Sequence, residues 1–375
     1  MSIIIKEVET KRDLKKFIEF YVKLYKDSKS FVPPLFLDEY EGLRRDKNPA
    51  YEYCDAKFYL AYKDNKIVGR VCALHNKRYN EIWKCKRLRF TRFDFIDDYE
   101  VSSALMDKVY DYARELELEE IQGPMGFCDL DKQGMLVEGF DELNMMVTPY
   151  NHKYYIQHME KLGFSKDADW IEFLINIPEQ LDEKLIRVNN IVLKRNKLKV
   201  LKIKKMKEVL PWAKKIFDLL GDAYKNLYGV IPLTDEQINM YVRQFISFLT
   251  PDFVSIILNE DDEPVAIGIS MPSIARAVKK TNGHLFPFGF ISVLKALKSR
   301  RLERVDLLLI GVKPEYQLKG INGIIISEMY KTFHRKKVIY AESSPMLETN
   351  EKIQSMWNHF ENRQHKRRRC YLKKL

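Results

Sequence analysis

Two spacings of apolar residues alternate along the chain, and the order in which they alternate occurs twice. Residues 3–8 alternate as a strand does, whereas 11–27 (KRDLKKFIEFYVKLYKD) place apolar side chains at helical spacing. The run FVPPLFLDEYEGLRRDKNPAYEYCD is too rich in proline and aromatics for either pattern and predicts a loop with about one helical turn. KFYLAYKDNKIVGRVCALHN reads as a hairpin about the turn Lys63–Lys66, followed by a strand over Arg89–Ile96. A helix is predicted over Val101–Glu115, with Val101, Ala104, Leu105, Val109 and Tyr112 on one face. TPYNHKYYIQHMEKLGF predicts a short helix closed by Gly163.

The second half runs through the same order: strand at 199–204, helices at 207–228 and 234–249, then a hairpin about Asn259–Pro264. RVDLLLIGVKP is a strand, GIIISEMYKTFHRK a helix and VIYAESS a strand. EKIQSMWNHF follows as a helix and HKRRRCYLKKL as a last alternating strand. A period of about half the chain predicts a duplicated α/β domain, not a solenoid. The expected domains are 1–180 and 181–375, with the linker near Ile177–Asn196, where WIEFLINI gives way to charged helix.

Composition narrows the function classes. At 375 residues the chain is too long for one ordinary core, and 46% hydrophobic with 31% charged residues describes a globular protein. Its longest apolar runs fall short of a bilayer span, and MSIIIKEVETKRD lacks the features of a signal peptide. Five cysteines without paired spacing argue against disulfides and zinc, and fit a reducing cytoplasm. The seven histidines show no ligand spacing, so no metal is expected. The net charge of +11 includes basic clusters at Lys194–Lys207, Lys295–Arg304 and Arg363–Lys374. They carry no helix–turn–helix or RNA-binding pattern, so no specific nucleic acid partner is expected; a solvated surface or an anionic ligand accounts for them.

One stretch carries chemistry: LLLIGVKPEYQLKGINGIIISEMY. The apolar strand Asp306–Ile310 runs into Gly311-Val312-Lys313-Pro314, where proline ends strand pairing; a polar stretch with two glycines follows and a helix begins near Asn322. Strand, tight loop and helix N-terminus together bind phosphate, because free N–H groups and the helix dipole point at the anion and glycine permits close approach. The loop lacks the GK[ST] of a Walker motif and the spacing of a dinucleotide fingerprint.

Q-x-x-G-x-[GA] after a strand ending in V-x-P resembles motif A of the GNAT acyltransferase superfamily, met by Gln317 and Gly320, with Asn322 in place of the small third residue and Gly323 beside it to relieve the crowding. Asn350, opening a helix with Ile353 and Trp357, is similar to the family's N-x-x-A-x-x-x-Y. The resemblance covers 199–375 well and 3–175 loosely, and extends to bacterial tandem-GNAT proteins through the insertion HLFPFGFISVLKALKSRR. It implies two tandem domains, each a mixed, mostly antiparallel twisted sheet flanked by helices. Acetyl-CoA or another acyl-CoA is the implied co-substrate. The implied activity is N-acyl transfer, acetyl by default, to a small amine or amino-acid-like acceptor; a non-catalytic GNAT-fold protein that binds acyl-CoA or another small molecule is the alternative. The loop's place in the first half is held by DFIDDYEVSSAL, whose acids would repel pyrophosphate, so that half is expected to be degenerate in CoA binding.

The same resemblance implies the site. Ile310, Gly311 and Val312 would pair the pantetheine as an added strand, with the Val312 N–H polarising the thioester carbonyl. Gln317, Leu318, Lys319, Gly320, Ile321, Asn322 and Gly323 would cradle the pyrophosphate, with Asn350 nearby. Asp306 sits at the offset of the family's carboxylate base, and Glu342 and Glu348 are alternatives. Trp357 replaces the helix tyrosine that protonates the thiolate, leaving Tyr371 or water for that role. Three further features have both a chemical and a packing reading. The Gly-rich run from Gly123, with Asp129, Asp131 and Glu138, suits a loop holding a substrate amine as well as turns that need glycine; Tyr154 and Tyr155 read as packing residues; and Phe286, Phe288 and Phe290 before a basic helix read as a packed insertion ahead of an apolar wall or a membrane surface.

Overall fold

The computed structural model describes residues 2–180 and 183–375, except the side chain of Leu185; Met1, and Leu181 and Asp182 within the expected linker, lie outside the described residues. Two compact units form. Unit 1 comprises Met1–Ile171 together with Ala275–Phe290 and Lys366–Leu375; unit 2 comprises Glu172–Ile274 and Ile291–His365. Two late segments of the chain thus fold with the early one, so the units do not follow a single linear cut.

The first half runs β1 (Ile4–Glu7), α1 (Lys11–Leu24), α2 (Phe36–Leu43), β2 (Cys54–Lys63), β3 (Lys66–Asn76), α3 (Lys77–Trp83), β4 (Arg87–Phe95), α4 (Tyr99–Glu115), β5 (Glu120–Gly123), β6 (Met135–Glu138), α5 (Tyr155–Lys161) and β7 (Ser165–Asn176). The second half runs α6 (Glu183–Arg195), β8 (Lys199–Val200), α7 (Ala213–Tyr224), α8 (Asp235–Ile246), β9 (Val254–Leu258), β10 (Pro264–Pro272), α9 (Ala275–Lys280) and α10 (Gly289–Leu297). It continues with β11 (Arg304–Val312), α11 (Ile321–Arg335), β12 (Tyr340–Ser343), β13 (Met346–Leu347), α12 (Glu351–Gln354) and β14 (Asn362–Lys374). The duplicated order predicted from the sequence is present. Where one long helix was expected at 207–228, short 3-10 turns around Pro211 precede a shorter α7, because a proline within the pattern breaks the helical ladder.

In unit 1 the strands lie in the order β1-β2-β3-β4-β5-β14, and in unit 2 in the order β7-β12-β11-β10-β9-β8. Neighbours are antiparallel except one pair in each unit: β4 with β5, and β11 with β12. Alternation along the strands sends side chains to two faces. In unit 1, Val71, Ala73 and Phe90 pack with Val101, Leu105 and Val109 of α4, while Leu60, Cys72 and Leu74 pack with Leu14, Phe17 and Ile18 of α1. In unit 2, Val265, Val305 and Ala341 meet Ile321, Ile324 and Ile325 of α11, and Ile256, Leu258 and Ile267 meet Ile216, Leu219 and Leu220 of α7. These are the mixed, mostly antiparallel sheets flanked by helices that the family resemblance implies. Among the described residues no helix is long and apolar enough to cross a membrane.

The end of the chain is fastened into unit 1. Tyr371–Lys374 of β14 pair with β5, and Arg367–Arg369 pair with β6. Arg368 is fully buried and donates to Asn144 Oδ1 (2.7 Å), Thr148 Oγ1 (3.1 Å) and the Pro149 carbonyl. Removing that guanidinium orphans buried acceptors. Arg368→Ala is expected to cost about 3 kcal/mol in urea unfolding; an unchanged midpoint would contradict the role given to Arg368.

Candidate functional site

The site begins where a parallel strand pair stops pairing. β11 follows β12 only from Arg304↔Tyr340 to Leu307↔Ser343. Its antiparallel register with β10 slips between Ile269↔Leu309 and Ser270↔Leu307, which leaves Leu308 as the extra residue of a β-bulge. Ser344 then closes the fork: its N–H donates to the Leu307 carbonyl (3.0 Å), and its hydroxyl donates to the Leu307 and Leu308 carbonyls (2.7 and 3.0 Å). Beyond it the strands part, and the rest of β11 becomes a one-sided edge.

That edge has a defined polarity. Lys313 N–H bonds the Val265 carbonyl of β10, so by antiparallel alternation Ile310 and Val312 direct their backbone groups away from β10, into the gap. Two of the carbonyls already have donors: Tyr224 of α7 bonds Ile310 O at 2.6 Å, and Gln317 Nε2 bonds Val312 O at 3.2 Å. The N–H of Val312 faces the gap beside them.

The edge leads straight into the glycine loop. A 3-10 turn over Pro314–Tyr316 is followed by Leu318 at φ 62°, exposed, and Gly320 at φ 79°. Gly320 is the N-cap of the 15-residue α11 and offers no side-chain acceptor to its first turn. The first N–H groups and the positive end of the dipole are therefore available to an anion. Gly323 has another task than relieving Asn322. A Cβ there would lie 2.6 Å from Asn189 Oδ1, and Asn189, buried on α6, donates to the Gly323 carbonyl at 2.9 Å. The glycine admits α6 against the start of α11.

Below the fork, the opposite face of the sheet carries charge. Asp306 and Glu342 are register partners on β11 and β12, and both are buried. Arg304 Nη1 lies 2.9 Å from Glu342 Oε2, and His365 Nε2 lies 3.2 Å from Glu342 Oε1. Glu172 joins them: ligand atoms of Glu172, Glu342 and His365 all lie within 4.8 Å of one another. Sequence spacing could not reveal this group, because its members come from β7, β12 and β14.

Unit 1 carries the same device with its gap filled. β4 pairs with β5 from Arg87↔Glu120 to Arg89↔Gln122, and Met125 N–H bonds the Phe90 carbonyl as Ser344 bonds Leu307. A bulge follows at Arg92, φ 49°. Ile96 N–H bonds Val68 O, so Phe95 occupies the place of Val312. Its backbone is already satisfied: Phe95 N–H donates to Tyr155 Oη at 2.7 Å, and the hydroxyls of Tyr154 (2.5 Å) and Tyr155 (3.1 Å) donate to Phe95 O. These tyrosines, read from sequence as packing residues, thus do more than pack. No glycine opens α4; Asp98 caps it through Glu100 N–H and pairs with Lys63 at 2.7 Å.

A cavity of about 40 Å³ remains in unit 1 between Arg70, Arg92, Asp94, Lys132, Tyr150 and Tyr155. Its charges are paired internally: Arg70–Asp94 at 2.7 Å, Arg92–Asp131 at 2.7 Å and Lys132–Glu39 at 2.7 Å. Burial pushes the Asp94 carboxyl up despite Arg70. Burial would do the same to Glu39, but Lys132 and Arg92 hold it well below the usual carboxylate range. Asp131, considered for substrate binding, is engaged by Arg92 and by Phe127 N–H (3.0 Å).

The structure therefore gathers Ile310–Val312, Gln317–Gly323 and the fork in unit 2, with Asp306 and Glu342 beneath them. Asn350 caps α12 by accepting from Ile353 N–H (3.4 Å). Tyr371 belongs to unit 1, buried opposite Gly123, and burial pushes its phenol up to about 12. Arg304, Ser344, Tyr224 and His365 were not found by sequence reasoning. Only Tyr224, a polar tip at the end of an amphipathic helix, left any trace there.

The packing of α6 on α11 makes a measurable claim. Gly323→Ala is expected to destabilise unit 2 by about 1 kcal/mol, because Asn189 must give up its bond. In an Asn189→Ala background the same change becomes neutral or stabilising, since alanine is the better helix former by about 1 kcal/mol. A double-mutant cycle in urea reads the coupling; additive effects would contradict the contact.

No protein-family model matches the chain. It is 29% identical over 374 residues to protein YghO of Escherichia coli (strain K12), covering 97% of this chain and 94% of that protein. It is 24% identical over 321 residues to a bacterial ceramide synthase of Caulobacter vibrioides, covering 83% and 80%. Among solved structures, a tandem GNAT protein from the clavulanic acid biosynthesis pathway superposes over 100% of this chain and 98% of its own, with TM-score 0.57 and 9% identity, a likeness of fold. With a forked parallel pair present in each unit, the chain has the fold of tandem GNAT proteins.

Proposed function

We propose that unit 2 is an acyl-CoA-dependent N-acyltransferase, acetyl by default, acting on a small amine or amino-acid-like acceptor, and that unit 1 binds no CoA. The observation that carries this is the pair of equivalent backbone positions. At Phe95 the edge is closed by tyrosine hydroxyls; at Val312 the N–H points into an open fork that runs into a glycine-capped helix N-terminus. An acyl-pantetheine arm laid along Ile310–Val312 would use that edge as an added strand, with its pyrophosphate at Gly320 and α11.

In this reading the amine attacks the thioester carbonyl, whose developing negative charge is met by Val312 N–H. Asp306, lower on β11 at the base of the fork, takes the amine proton through intervening water, and the thiolate leaves with CoA and is protonated by solvent. This reading gives the proton donor's role to water, the alternative to Tyr371. The relative named as a ceramide synthase is, by that name, a maker of amides, which agrees with an amine acceptor and makes acyl length a variable to measure.

Purified protein is therefore expected to bind acyl-CoA saturably, and Gly320→Glu to abolish binding, since it puts a carboxylate at the pyrophosphate and strains a φ of 79°. Asp306→Asn is expected to keep affinity and lose about 100-fold or more in kcat. Calorimetry and a thiol-release assay with an amine library, run from acetyl- to long-chain acyl-CoA, check both. Absence of binding by any acyl-CoA would sink the proposal; binding without turnover would mark a non-catalytic acyl-CoA-binding protein.

A further inference from the structure

We propose that Glu172, Glu342 and His365 form a binding site for a zinc-class divalent ion inside unit 2, a site distinct from the acyl-CoA edge and independent of the activity assigned to it. The three side chains come from the neighbouring strands β7, β12 and β14 and are buried. One imidazole and two carboxylates are a donor set for zinc, cobalt, manganese or ferrous ion, whereas calcium and magnesium take oxygen alone.

Three distances fit a metal-binding arrangement. A direct charge-assisted bond from imidazolium to carboxylate closes to about 2.7–2.9 Å. His365 Nε2 and Glu342 Oε1 stand 3.2 Å apart. Two ligands of a tetrahedral ion with bonds of about 2.0–2.1 Å sit about 3.3 Å apart, so this pair already has ligand-to-ligand spacing. Arg304 then occupies the other oxygen of Glu342, Oε2, at 2.9 Å. That is the arrangement of an outer partner that orients a ligating carboxylate. Glu172 completes the set within 4.8 Å, with water as the fourth ligand.

Such an ion would tie the ends of β7, β12 and β14 together directly under the fork, a place where β12 has only a short register with β11. The full-length chain, stripped with EDTA and reloaded with zinc or cobalt(II), tests this by elemental analysis, visible spectroscopy and melting temperature. The expected result is one tightly held ion per chain, an intense tetrahedral cobalt(II) spectrum and a raised melting temperature. Glu172→Gln and His365→Gln should weaken binding at least 100-fold, while His359→Gln, an exposed histidine, should leave it unchanged. Gly320→Glu should also load normally, which separates this site from acyl-CoA binding. Equal binding by wild type and His365→Gln, or a weak octahedral cobalt spectrum, would overturn the site. If the variants fail to fold by circular dichroism, the wild-type stoichiometry and cobalt spectrum decide alone.

Discussion

A backbone N–H that leaves a sheet must find another partner, and the placement of that requirement organises this protein. In both units a parallel pair holds for a few residues, a bulge turns the longer strand away, and one strand edge is left facing a gap. What fills the gap decides the character of the unit. In unit 1 the protein fills it with Tyr154 and Tyr155; in unit 2 it supplies the carbonyl partners, Tyr224 and Gln317, and directs the Val312 N–H outward.

The asymmetry extends from the edge to the helix that follows it. Gly320, at φ 79°, begins α11 without a side-chain cap, so the helix's first N–H groups take no acceptor from it. Asp98, at the start of α4, uses the same donors itself and adds a negative charge paired to Lys63. The buried pairs behind it, Arg70 with Asp94 and Arg92 with Asp131, close the rest of the unit 1 gap with groups that are costly to separate once buried. Duplication has thus produced one fork that is sealed and one that is open, from the same order of elements.

Much of this was legible in the sequence because it is local. Hairpins, the strand before Val312, the glycine loop and the helix after it are set by period and by turn chemistry within about twenty residues, and the family resemblance rested on that stretch. What stayed hidden depends on pairing at a distance. Nothing in HKRRRCYLKKL shows that its strand pairs with β5 and β6, hundreds of residues earlier, nor that 275–290 fold with unit 1. Bulges at Leu308 and Arg92 are mismatches between two strands and cannot be read from either alone. His365 lay among seven unremarkable histidines until strand order brought it to Glu342. Gly323 illustrates a subtler case: a glycine inside a motif whose reason is a contact from another helix, Asn189 on α6.

The charges beneath the open fork follow from the same geometry. Past Leu307 the parallel pair offers no further ladder bonds, so the last paired residues bear the load of keeping β11 and β12 together. Ser344 bridges the fork from one side, spending both its N–H and its hydroxyl on Leu307 and Leu308. From the sheet face, Arg304 grips Glu342 across the same two strands, and His365 extends the contact toward β14. Polar groups in such a place are retained only if they are well paired, since a buried carboxylate costs several kcal/mol when left alone. A hydrophobic pair would hold the strands equally well but would supply no proton acceptor beneath the gap. Asp306 and its charged neighbours therefore make sense as a compromise: they close the fork at its base while keeping, further down β11 from the outward-facing N–H groups of Ile310 and Val312, a carboxylate that the proposed transfer would use.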